Sequence, residues 1–269
     1  MTFWIILLGF VALYLFLIAP RVIHKADRTP FLNRHYAHRG LFDNATEAPE
    51  NSLAAIRQAV EAGYGIEFDV QLTKDDKLVV FHDATLKRMC DKEGNVWDYT
   101  LEELKQFRLA KSEETIPTFE EVLAVVDGRV PLIIEYKLDK VQTKVCELAD
   151  KVLQGYKGVY CVECFHPLAV YWYRKNRPDI MRGQLCEEFF RFDKHKGNFI
   201  MTVMSFLLPN VAARPDFIAY NHLHESNISR RLCRWMGGLS VAYTIKSEAE
   251  YQKAKDKFDL FIFDSFILK

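Results

Sequence analysis

The sequence GIEFDVQLTKDDKLVVFHD at residues 65–83 has the pattern of two strands joined by a short turn. Both runs are rich in Ile, Val, Leu and Phe, as buried strands are. The polar link TKDD at 73–76 is too short for a parallel crossover, so it predicts a β-hairpin. The first run nevertheless carries Glu67 and Asp69, and the second reaches His82. Ionisable groups in runs that otherwise belong in a core indicate a functional site.

The spacing of the acidic residues predicts a cation site. Side chains alternate between the two faces of a strand, so Glu67 and Asp69 point to the same face. Two carboxylates in a confined site repel each other unless a proton or a cation lies between them, and hard divalent cations prefer oxygen ligands. The run IIEYK at 133–137 repeats the pattern with Glu135 and Lys137. Purely structural ion pairs are the alternative interpretation for either strand alone.

A regular alternation of strands and helices predicts the architecture. Eight strands separated by helices indicate an α/β fold, a closed (β/α)8 TIM barrel, for which 269 residues suffice. The predicted strands are 35–39, 64–70, 131–137, 158–164, 180–185, 216–221, 239–245 and 259–264. Helical periodicity fits the intervals 51–62, 142–154, 167–176, 199–212, 226–236 and 247–257.

The interval 71–130 departs from this alternation and predicts a hairpin and helical insertion after the second barrel strand. Pairing Leu72 with Leu78 in the hairpin brings His82 back beside the two carboxylates of the first strand. In barrels of this type the reactive groups lie at the C-terminal ends of the strands. We therefore expect the site at that end of the barrel.

Two further side chains favour chemistry on a phosphate ester. The first strand ends in AHRG at 37–40, which supplies His38 and Arg39. With His82 this gives two imidazoles for general acid and general base roles, because imidazole titrates near neutrality. The guanidinium of Arg39 and the ammonium of Lys137 suit phosphate oxygens. The sequence has no Gly-rich phosphate loop, so no nucleotide cofactor is expected.

The charge balance gives no support for nucleic acid as a partner. Lys and Arg together number 36, as do Asp and Glu, and the formal net charge is +0, whereas nucleic-acid-binding domains usually carry a basic excess. The six cysteines are spread along the chain, which does not suggest a disulfide framework. CVEC at 161–164 is an isolated C-x-x-C, and buried free thiols explain it better than a metal or redox site.

The N-terminal residues predict a membrane anchor. Residues 2–20 contain no charged side chain, and the apolar run 3–19 is near the short limit for a spanning helix. A cleaved signal peptide is the alternative, but a basic n-region and a small-x-small cleavage site are missing. Basic side chains follow the run and none precedes it, which favours a cytoplasmic domain. We expect a transmembrane anchor over 1–20, a linker over 21–34 and one catalytic domain over 35–269.

Six motifs occur in the order and spacing of a known family. They are HRG at 38–40, PENS at 49–52, GIEFDVQLTKD at 65–75, VVFHDATLKR at 79–88, IPTFEEVL at 116–123 and IEYK at 134–137. Through them the sequence resembles the glycerophosphodiester phosphodiesterases, within the phospholipase-C-like phosphodiesterase superfamily. The resemblance covers residues 36–137, and a looser likeness continues to the C-terminus. It implies a barrel fold and hydrolysis of phosphodiesters.

The resemblance also implies roles for individual residues. A divalent metal ion, commonly Ca²⁺ or Mg²⁺, would be held by three carboxylates, those of Glu67, Asp69 and Glu135. His38 and His82 would form the acid and base pair, although the sequence does not settle which is which. Arg39 and Lys137 would face the phosphate. Asn51 would brace the His38 loop or touch the metal ligands.

The chain departs from the family pattern at two pocket positions. The seventh strand of such enzymes often carries a tryptophan where this chain has Tyr243. A serine often precedes the phenylalanine of the fourth strand, and here Cys164 stands in its place. These differences bear on the choice of alcohol more than on the reaction, so Tyr243 is expected to support the pocket.

The resemblance implies a small-molecule substrate, a glycerophosphodiester, that is cleaved to glycerol 3-phosphate and an alcohol in phospholipid and glycerol metabolism. Two alternatives remain open. A lysophospholipase D acting on lysophospholipids would need an apolar groove at the mouth, for which FLLP at 206–209 is a candidate. A barrel that binds phosphodiesters without turnover would not need two imidazoles beside three acids.

Overall fold

Eight short parallel strands close into a barrel, as the sequence predicts, in a computed structural model that describes residues 1–138 and 141–268. The first strand, β1, pairs with both the second, β2, and the last, β9, which closes the cylinder. The barrel strands are β1 His35–His38, β2 Gly65–Leu72, β4 Leu132–Tyr136, β5 Tyr160–Cys164, β6 Arg182–Cys186, β7 Phe217–Asn221, β8 Leu239–Ile245 and β9 Leu260–Phe263. The remaining strand, β3 Leu78–Val80, is antiparallel to β2.

Helices follow most of the barrel strands and cover them from outside. They are α2 Leu53–Glu61, α3 Lys87–Cys90, α4 Leu101–Leu104, α5 Phe119–Val126, α6 Lys144–Leu153, α7 Pro167–Asn176, α8 Phe199–Ser205, α9 Asn210–Ala213, α10 Ile228–Trp235 and α11 Glu248–Ala254. Their starts are specified locally. Ser52, in the PENS motif, caps α2 by accepting a hydrogen bond from the Ala55 amide. Thr118 and Glu121 form a reciprocal capping box at α5.

The hairpin of β2 and β3 has the register that the sequence predicts. Leu72 lies opposite Leu78, and the Phe81 amide donates to the Asp69 carbonyl at 3.0 Å. The insertion that follows has its own small core, in which Phe81 packs with Leu86 and Leu104. This core fixes the insertion beside the barrel, so the chain after β3 returns to the same end of the barrel as the C-terminal end of β2.

The interior of the barrel changes character along its axis. We call the end at which the strands begin the base and the opposite end the mouth. At the base the interior is apolar, and the ring of Phe217 lies so close to Gly183 that a Cβ atom there would come within 2.1 Å of it. Towards the mouth the inward side chains of β2 are Glu67 and Asp69, while Phe68 faces the covering helices. The polar layer therefore stands on a closed apolar floor.

The N-terminal residues differ from the expectation. Instead of a spanning helix over 1–20, the structure has a helix of 17 residues, α1 Thr2–Ile18. Within residues 1–138 and 141–268, none of the helices combines the length and the apolar character required to traverse a bilayer.

The segment 21–34, predicted as a linker, lies against the base of the barrel. The Arg21 amide donates to the Pro215 carbonyl at 2.8 Å. Phe31 is 3% exposed, and its carbonyl accepts a hydrogen bond from the Tyr36 hydroxyl at 2.9 Å. These contacts show that the predicted linker is packed against the barrel.

The run FLLP at 206–209 also differs from the expectation. It joins α8 to α9 and packs inward, since Leu207 is 1% exposed and Leu208 lies against the main core. It is therefore not an exposed apolar groove at the mouth.

Candidate active site

Three carboxylates converge inside the mouth of the barrel. Glu67 and Asp69 point inward from β2, and Glu135 lies on β4 in register with Asp69. All three are buried, and one oxygen of each lies within 4.8 Å of an oxygen of the other two. The strand alternation that the sequence shows is thus sufficient to build this cluster.

Lys137 supplies positive charge to the cluster. Its Nζ lies 2.9 Å from Asp69 Oδ1 and 2.5 Å from Glu135 Oε1. Burial alone would raise the pKa of Asp69, but Lys137, His82 and Arg39 lower it well below its usual value. Burial raises the pKa of Glu135, and raises that of Glu67 further with the charge of Asp69 adding to the effect. Burial and the neighbouring carboxylates therefore favour the neutral form of the two glutamates unless a positive charge lies between them.

The donor set fits a hard divalent cation. The available ligands are carboxylate oxygens, which Ca²⁺ and Mg²⁺ prefer. Oε2 of Glu67 is buried without a hydrogen-bond partner, which is costly unless something else satisfies it. A cation held between Glu67, Asp69 and Glu135 would satisfy that oxygen and bring the raised pKa values down.

Arg39 and Asn51 are held beside the cluster by an unusual backbone. Both have left-handed φ values, 60° and 59°, which non-glycine residues seldom adopt. The Arg39 amide donates to the Glu67 carbonyl at 2.7 Å, and the Asn51 amide donates to the Arg39 carbonyl at 2.9 Å. Asn51 Nδ2 then donates to Asp69 Oδ2 at 3.0 Å. Asn51 thus connects the loop after β1 to one of the carboxylates.

Gly40 makes this turn possible. Its φ is +85°, and a Cβ atom at this position would lie 2.7 Å from the backbone of Ala55. The glycine of the HRG motif therefore allows the chain to turn against the start of α2, which leaves Arg39 pointing into the site.

His38 ends β1 and is oriented by the last strand. Its Nδ1 lies 2.7 Å from Oδ2 of Asp264, which follows β9. Burial would raise the pKa of Asp264, but the hydrogen bond with His38 lowers it, so the carboxylate accepts and Nδ1 donates. The other nitrogen, Nε2, lies 3.8 Å from Glu67 Oε2. Burial lowers the pKa of His38, which favours the neutral imidazole.

His82 is also held by a carboxylate, and it lines a cavity with Glu135, whereas His38 lies nearest Glu67. The Nδ1 of His82 lies 2.7 Å from Oδ1 of Asp83. Arg88 donates from Nε to Asp83 at 2.6 Å and from both terminal nitrogens to Glu50 at 2.7 Å. Glu50 also accepts from Arg39 at 2.7 Å. A continuous chain of charged hydrogen bonds therefore connects the His82 imidazole to the Arg39 guanidinium.

A cavity of about 290 Å³ opens next to the carboxylates. His82, Glu135 and Lys137 line it, together with Trp97 from the insertion and Phe165 after β5. The Lys137 ammonium lies 5.9 Å from the centre of the Phe165 ring. The cavity thus presents charged groups on one side and aromatic surface on the other, which suits an ester of a phosphate with an organic alcohol.

The structure brings eight of the nine residues singled out in the sequence to this site. The ninth, Tyr243, does not line the cavity but contacts Phe165, which does, with 6.1 Å between the ring centres. Its hydroxyl donates to the Cys186 carbonyl at 2.9 Å. Cys164, the other departure from the family pattern, lines the cavity and donates to the Tyr136 carbonyl at 3.0 Å.

Sequence reasoning missed several functional neighbours. Asp264 ends a strand in FIFD, which is the same signal that drew attention to Glu67 and Asp69. Glu163 lies in CVEC, in register with Glu135 on the next strand, and is buried with one oxygen unpartnered. Glu50 lies in a loop and Arg88 in the four-residue helix α3, and neither has a periodic signal.

Comparison with known proteins agrees with this geometry. A profile described as the glycerophosphoryl diester phosphodiesterase family matches residues 38–193, which is more than half of the chain. The chain belongs to this family. The match begins at His38 and includes both histidines and all three carboxylates.

Curated relatives of this phosphodiesterase family are similar over part of their length. A glycerophosphodiester phosphodiesterase of Bacillus altitudinis is 44% identical over 114 residues, 40% of this chain and 45% of that protein. A lysophospholipase D of Rattus norvegicus is 35% identical over 162 residues, 55% of this chain and 50% of that protein. Glycerophosphodiester phosphodiesterase 1 of Homo sapiens is 29% identical over 71% of this chain and 61% of that protein. The matched segments thus span about half the length of these relatives.

Solved structures share the fold with this phosphodiesterase family member. A phosphodiesterase of Oleispira antarctica, solved with sn-glycerol 3-phosphate, superposes with a TM-score of 0.71 at 24% identity, over 87% of this chain and 94% of that one. A glycerophosphodiester phosphodiesterase of Thermotoga maritima superposes with a TM-score of 0.64 at 24% identity, over 86% and 93%.

Proposed function

We propose that this protein is a metal-dependent phosphodiesterase that hydrolyses glycerophosphodiesters to glycerol 3-phosphate and an alcohol. The observation that carries the proposal is the placement of two carboxylate-held imidazoles, His38 and His82, beside the Glu67, Asp69 and Glu135 cluster. The glycerol 3-phosphate in the Oleispira antarctica structure supports the substrate class.

The proposed division of labour follows from the surroundings of each group. Arg39 and Lys137 bind the non-bridging phosphate oxygens. A divalent ion at the carboxylates would add positive charge that polarises the phosphate. Asp264 holds His38 with Nε2 towards the cluster, so the neutral imidazole accepts a proton from the nucleophile. The nucleophile is either water or the glycerol 2-hydroxyl, and the second choice gives a cyclic phosphate first.

His82 is assigned to the leaving alcohol. Its Nδ1 is held by the Asp83 carboxylate at 2.7 Å, and the ring lines the cavity in which an alcohol would lie. The protonated ring donates to the departing alkoxide oxygen, while His38 keeps the proton of the nucleophile. If water is the nucleophile, the two imidazoles must then exchange protons with solvent before the next turnover. If the 2-hydroxyl is the nucleophile, hydrolysis of the cyclic phosphate reverses the two roles, with His82 accepting a proton from water and His38 returning one to the 2-oxygen.

Hydrolysis of lysophospholipids is the second candidate. The matched lysophospholipase D of Rattus norvegicus favours it. The buried position of Leu207 removes one argument for it, because FLLP does not provide the groove. We further propose that α1 keeps the protein on a membrane, with the domain on the cytoplasmic face, because its exposed surface is apolar and basic residues follow it.

A substrate panel on the purified full-length protein tests the reaction. Glycerophosphocholine, glycerophosphoethanolamine, glycerophosphoglycerol and lysophosphatidylcholine are each incubated with Ca²⁺, with Mg²⁺ or with chelator, and the phosphate-containing product is identified by mass spectrometry. We expect glycerol 3-phosphate from the first three in the presence of one metal and none with chelator. Release of lysophosphatidic acid from the fourth at a comparable rate would favour the second candidate. Binding of all four without turnover would contradict both.

A further inference from the structure

The first part of α1 extends away from the folded domain. Residues 2–13 are exposed throughout, and Phe3, Trp4 and Phe10 each show about two thirds of their surface, at 69%, 64% and 67%. None of these twelve residues is charged. A helix that is apolar on every side and unpartnered is not stable in water, so these residues need an apolar surrounding.

The contacts of the last turns of α1 fix its direction. The Tyr14 hydroxyl lies 2.6 Å from Ser229, at the start of α10, and the Ile18 carbonyl accepts from the Cys233 thiol one turn farther on. The two helices are therefore parallel. Since α10 runs from the mouth of the barrel to its base, α1 does so too. Its exposed residues 2–13 form about 18 Å of helix at 1.5 Å per residue, and they lie on the mouth side of the contact with α10.

A second exposed apolar feature lies at the same end. The segment that follows β6, residues 187–200, begins at the mouth, and it exposes Phe192 by 38%, Phe199 by 78% and Ile200 by 66%. Cys186, the last residue of β6, donates to the Met204 carbonyl at 3.2 Å, so the last turn of α8 lies beside that strand end, and Phe199 begins the same seven-residue helix. We call residues 187–200 the mouth loop.

One residue of the mouth loop, Phe189, lies beside the wall of the candidate site, whereas Lys194 and Lys196 do not line the cavity. The ring of Phe189 lies 6.0 Å from that of Phe165, between centres. Phe165 lines the cavity and lies under the Lys137 ammonium. Two side-chain contacts, Phe189 to Phe165 and Phe165 to Lys137, therefore connect the start of the mouth loop to a group that we assign to the phosphate.

The composition of these surfaces points to lipid rather than to another protein. In the exposed part of the mouth loop, Lys194 and Lys196 outnumber the one acidic side chain, Asp193, while Arg191 is paired with the buried Glu188. Aromatic and aliphatic tips beside basic side chains are typical of segments that lie at an anionic membrane surface. The exposed part of α1 adds an apolar helix without charge. The hydrocarbon core of a membrane can surround such a helix on every side, so no complementary protein surface is needed.

We propose that the mouth of the barrel docks on an anionic lipid surface, with α1 inserted and the tips of the mouth loop at the level of the headgroups. The candidate cavity then opens towards the bilayer. Lipid-derived diesters can enter it from that surface, a consequence that rests on the proposed function, whereas the docking itself does not.

Site-specific labelling of the full-length protein tests this orientation. The six native cysteines are all buried, so one introduced cysteine can be labelled selectively with an environment-sensitive fluorophore. Phe199→Cys places the label in the mouth loop. Trp235→Cys is the matched control, because Trp235 is 76% exposed against 78% for Phe199 but lies at the end of α10, near the base.

On vesicles of phosphatidylcholine with phosphatidylglycerol we expect a several-fold rise and a blue shift of fluorescence at 199, with quenching by brominated lipid, and no change at 235. Equal responses at both positions, or none while the protein co-sediments with vesicles, would overturn the proposed orientation. A label at 199 that is already shielded without vesicles, in a stable dimer, would assign the surface to a second copy instead. None of these readings depends on turnover.

The basic side chains provide an independent test. Lys194→Glu with Lys196→Glu should weaken co-sedimentation with the anionic vesicles by several-fold and leave hydrolysis of soluble glycerophosphocholine unchanged. Lys157→Glu, near the base, is the control and should bind vesicles as the parent does. Undiminished binding of the double variant would contradict a role of the mouth loop in recognition of anionic lipid.

Discussion

Asp264 accepts a hydrogen bond from His38 at 2.7 Å, although the two residues are 226 positions apart in the chain. They meet because β9 pairs with β1 and closes the barrel. The orientation of one proposed catalytic imidazole therefore depends on the closure of the whole fold, and the carboxylate also fixes which ring nitrogen carries the proton.

Asp264→Asn should lower kcat by about 10²-fold, because the amide can hold the ring in the wrong tautomer and cannot stabilise its protonated form. Steady-state kinetics on glycerophosphocholine measure this. Asp259→Asn is the matched control, since Asp259 directly precedes β9 at the base and contacts Arg234 instead. An equal loss in both variants would mean that Asp264 acts on stability alone.

His38→Ala and His82→Ala should each lower the rate by roughly 10²–10⁴-fold, the usual contribution of a positioned acid or base. A diester with a good leaving group, such as a nitrophenyl ester, needs no acid. On that substrate His82→Ala should recover most of its activity and His38→Ala should not. The reverse pattern would show that His82 is the base and His38 the acid. Near-full activity of either variant on glycerophosphocholine would show that the substituted histidine has no catalytic role.

Metal binding should depend on the Glu67, Asp69 and Glu135 cluster and not on every buried acid in the mouth. Glu67→Gln and Glu135→Gln remove ligands from the cluster and should weaken the binding of Ca²⁺ or Mg²⁺ by at least about tenfold in calorimetric titration. Glu163→Gln is the matched control. It is buried on the neighbouring strand but lies outside the group of three, so its metal affinity should change little. Turnover that persists in excess chelator would contradict the metal site.

The sequence predicts the barrel and the carboxylate cluster well, because both depend on local periodicity. Alternation along β2 places Glu67 and Asp69 on one face, and a four-residue link forces the hairpin that returns His82. The sequence gives less information about the residues that orient the two imidazoles. Asp83 is adjacent to His82, but Glu50 lies in an irregular loop and Arg88 in the short helix α3, and the two meet only after the insertion has packed.

The N-terminal segment was predicted less well, for a physical reason. Composition shows that residues 2–20 are apolar, but it does not show that Asn210 and Arg214 bind the carbonyl groups at the end of that run. These partners lie about 190 residues away, and their side chains give no periodic pattern. The packing of residues 21–34 at the base depends on similar long-range contacts.

Glu50 should make the protein sensitive to acid. Burial would raise its pKa, but Arg88, Arg39 and Asn44 lower it to about 2. A carboxyl whose pKa is lower in the folded state stabilises above its unfolded pKa, near 4.5, and loses that contribution as the pH falls towards 2. The difference is on the order of 3 kcal/mol. Glu50→Gln should therefore cost much more stability at pH 6 than at pH 2.5, as measured by urea unfolding; an equal cost at both would contradict the charged network.

Two deletions that end at different points of the N-terminal segment should differ in their effect on stability. Deletion of residues 1–13 takes away only exposed side chains, so the free energy of unfolding should stay close to that of the full chain. Deletion of residues 1–20 also removes Ile18, which is 0% exposed, and the carbonyl groups to which Asn210 and Arg214 donate.

Loss of one buried aliphatic side chain and of two or three hydrogen bonds should cost about 3 kcal/mol or more. For a chain of this size that lowers Tm by about 5–10 °C relative to the shorter deletion. Differential scanning calorimetry of the two truncated proteins measures the difference. Both should keep turnover of soluble diesters below their Tm, because the site lies at the mouth and the lost contacts lie near the base. Equal Tm values would show that α1 is not packed on the barrel in solution.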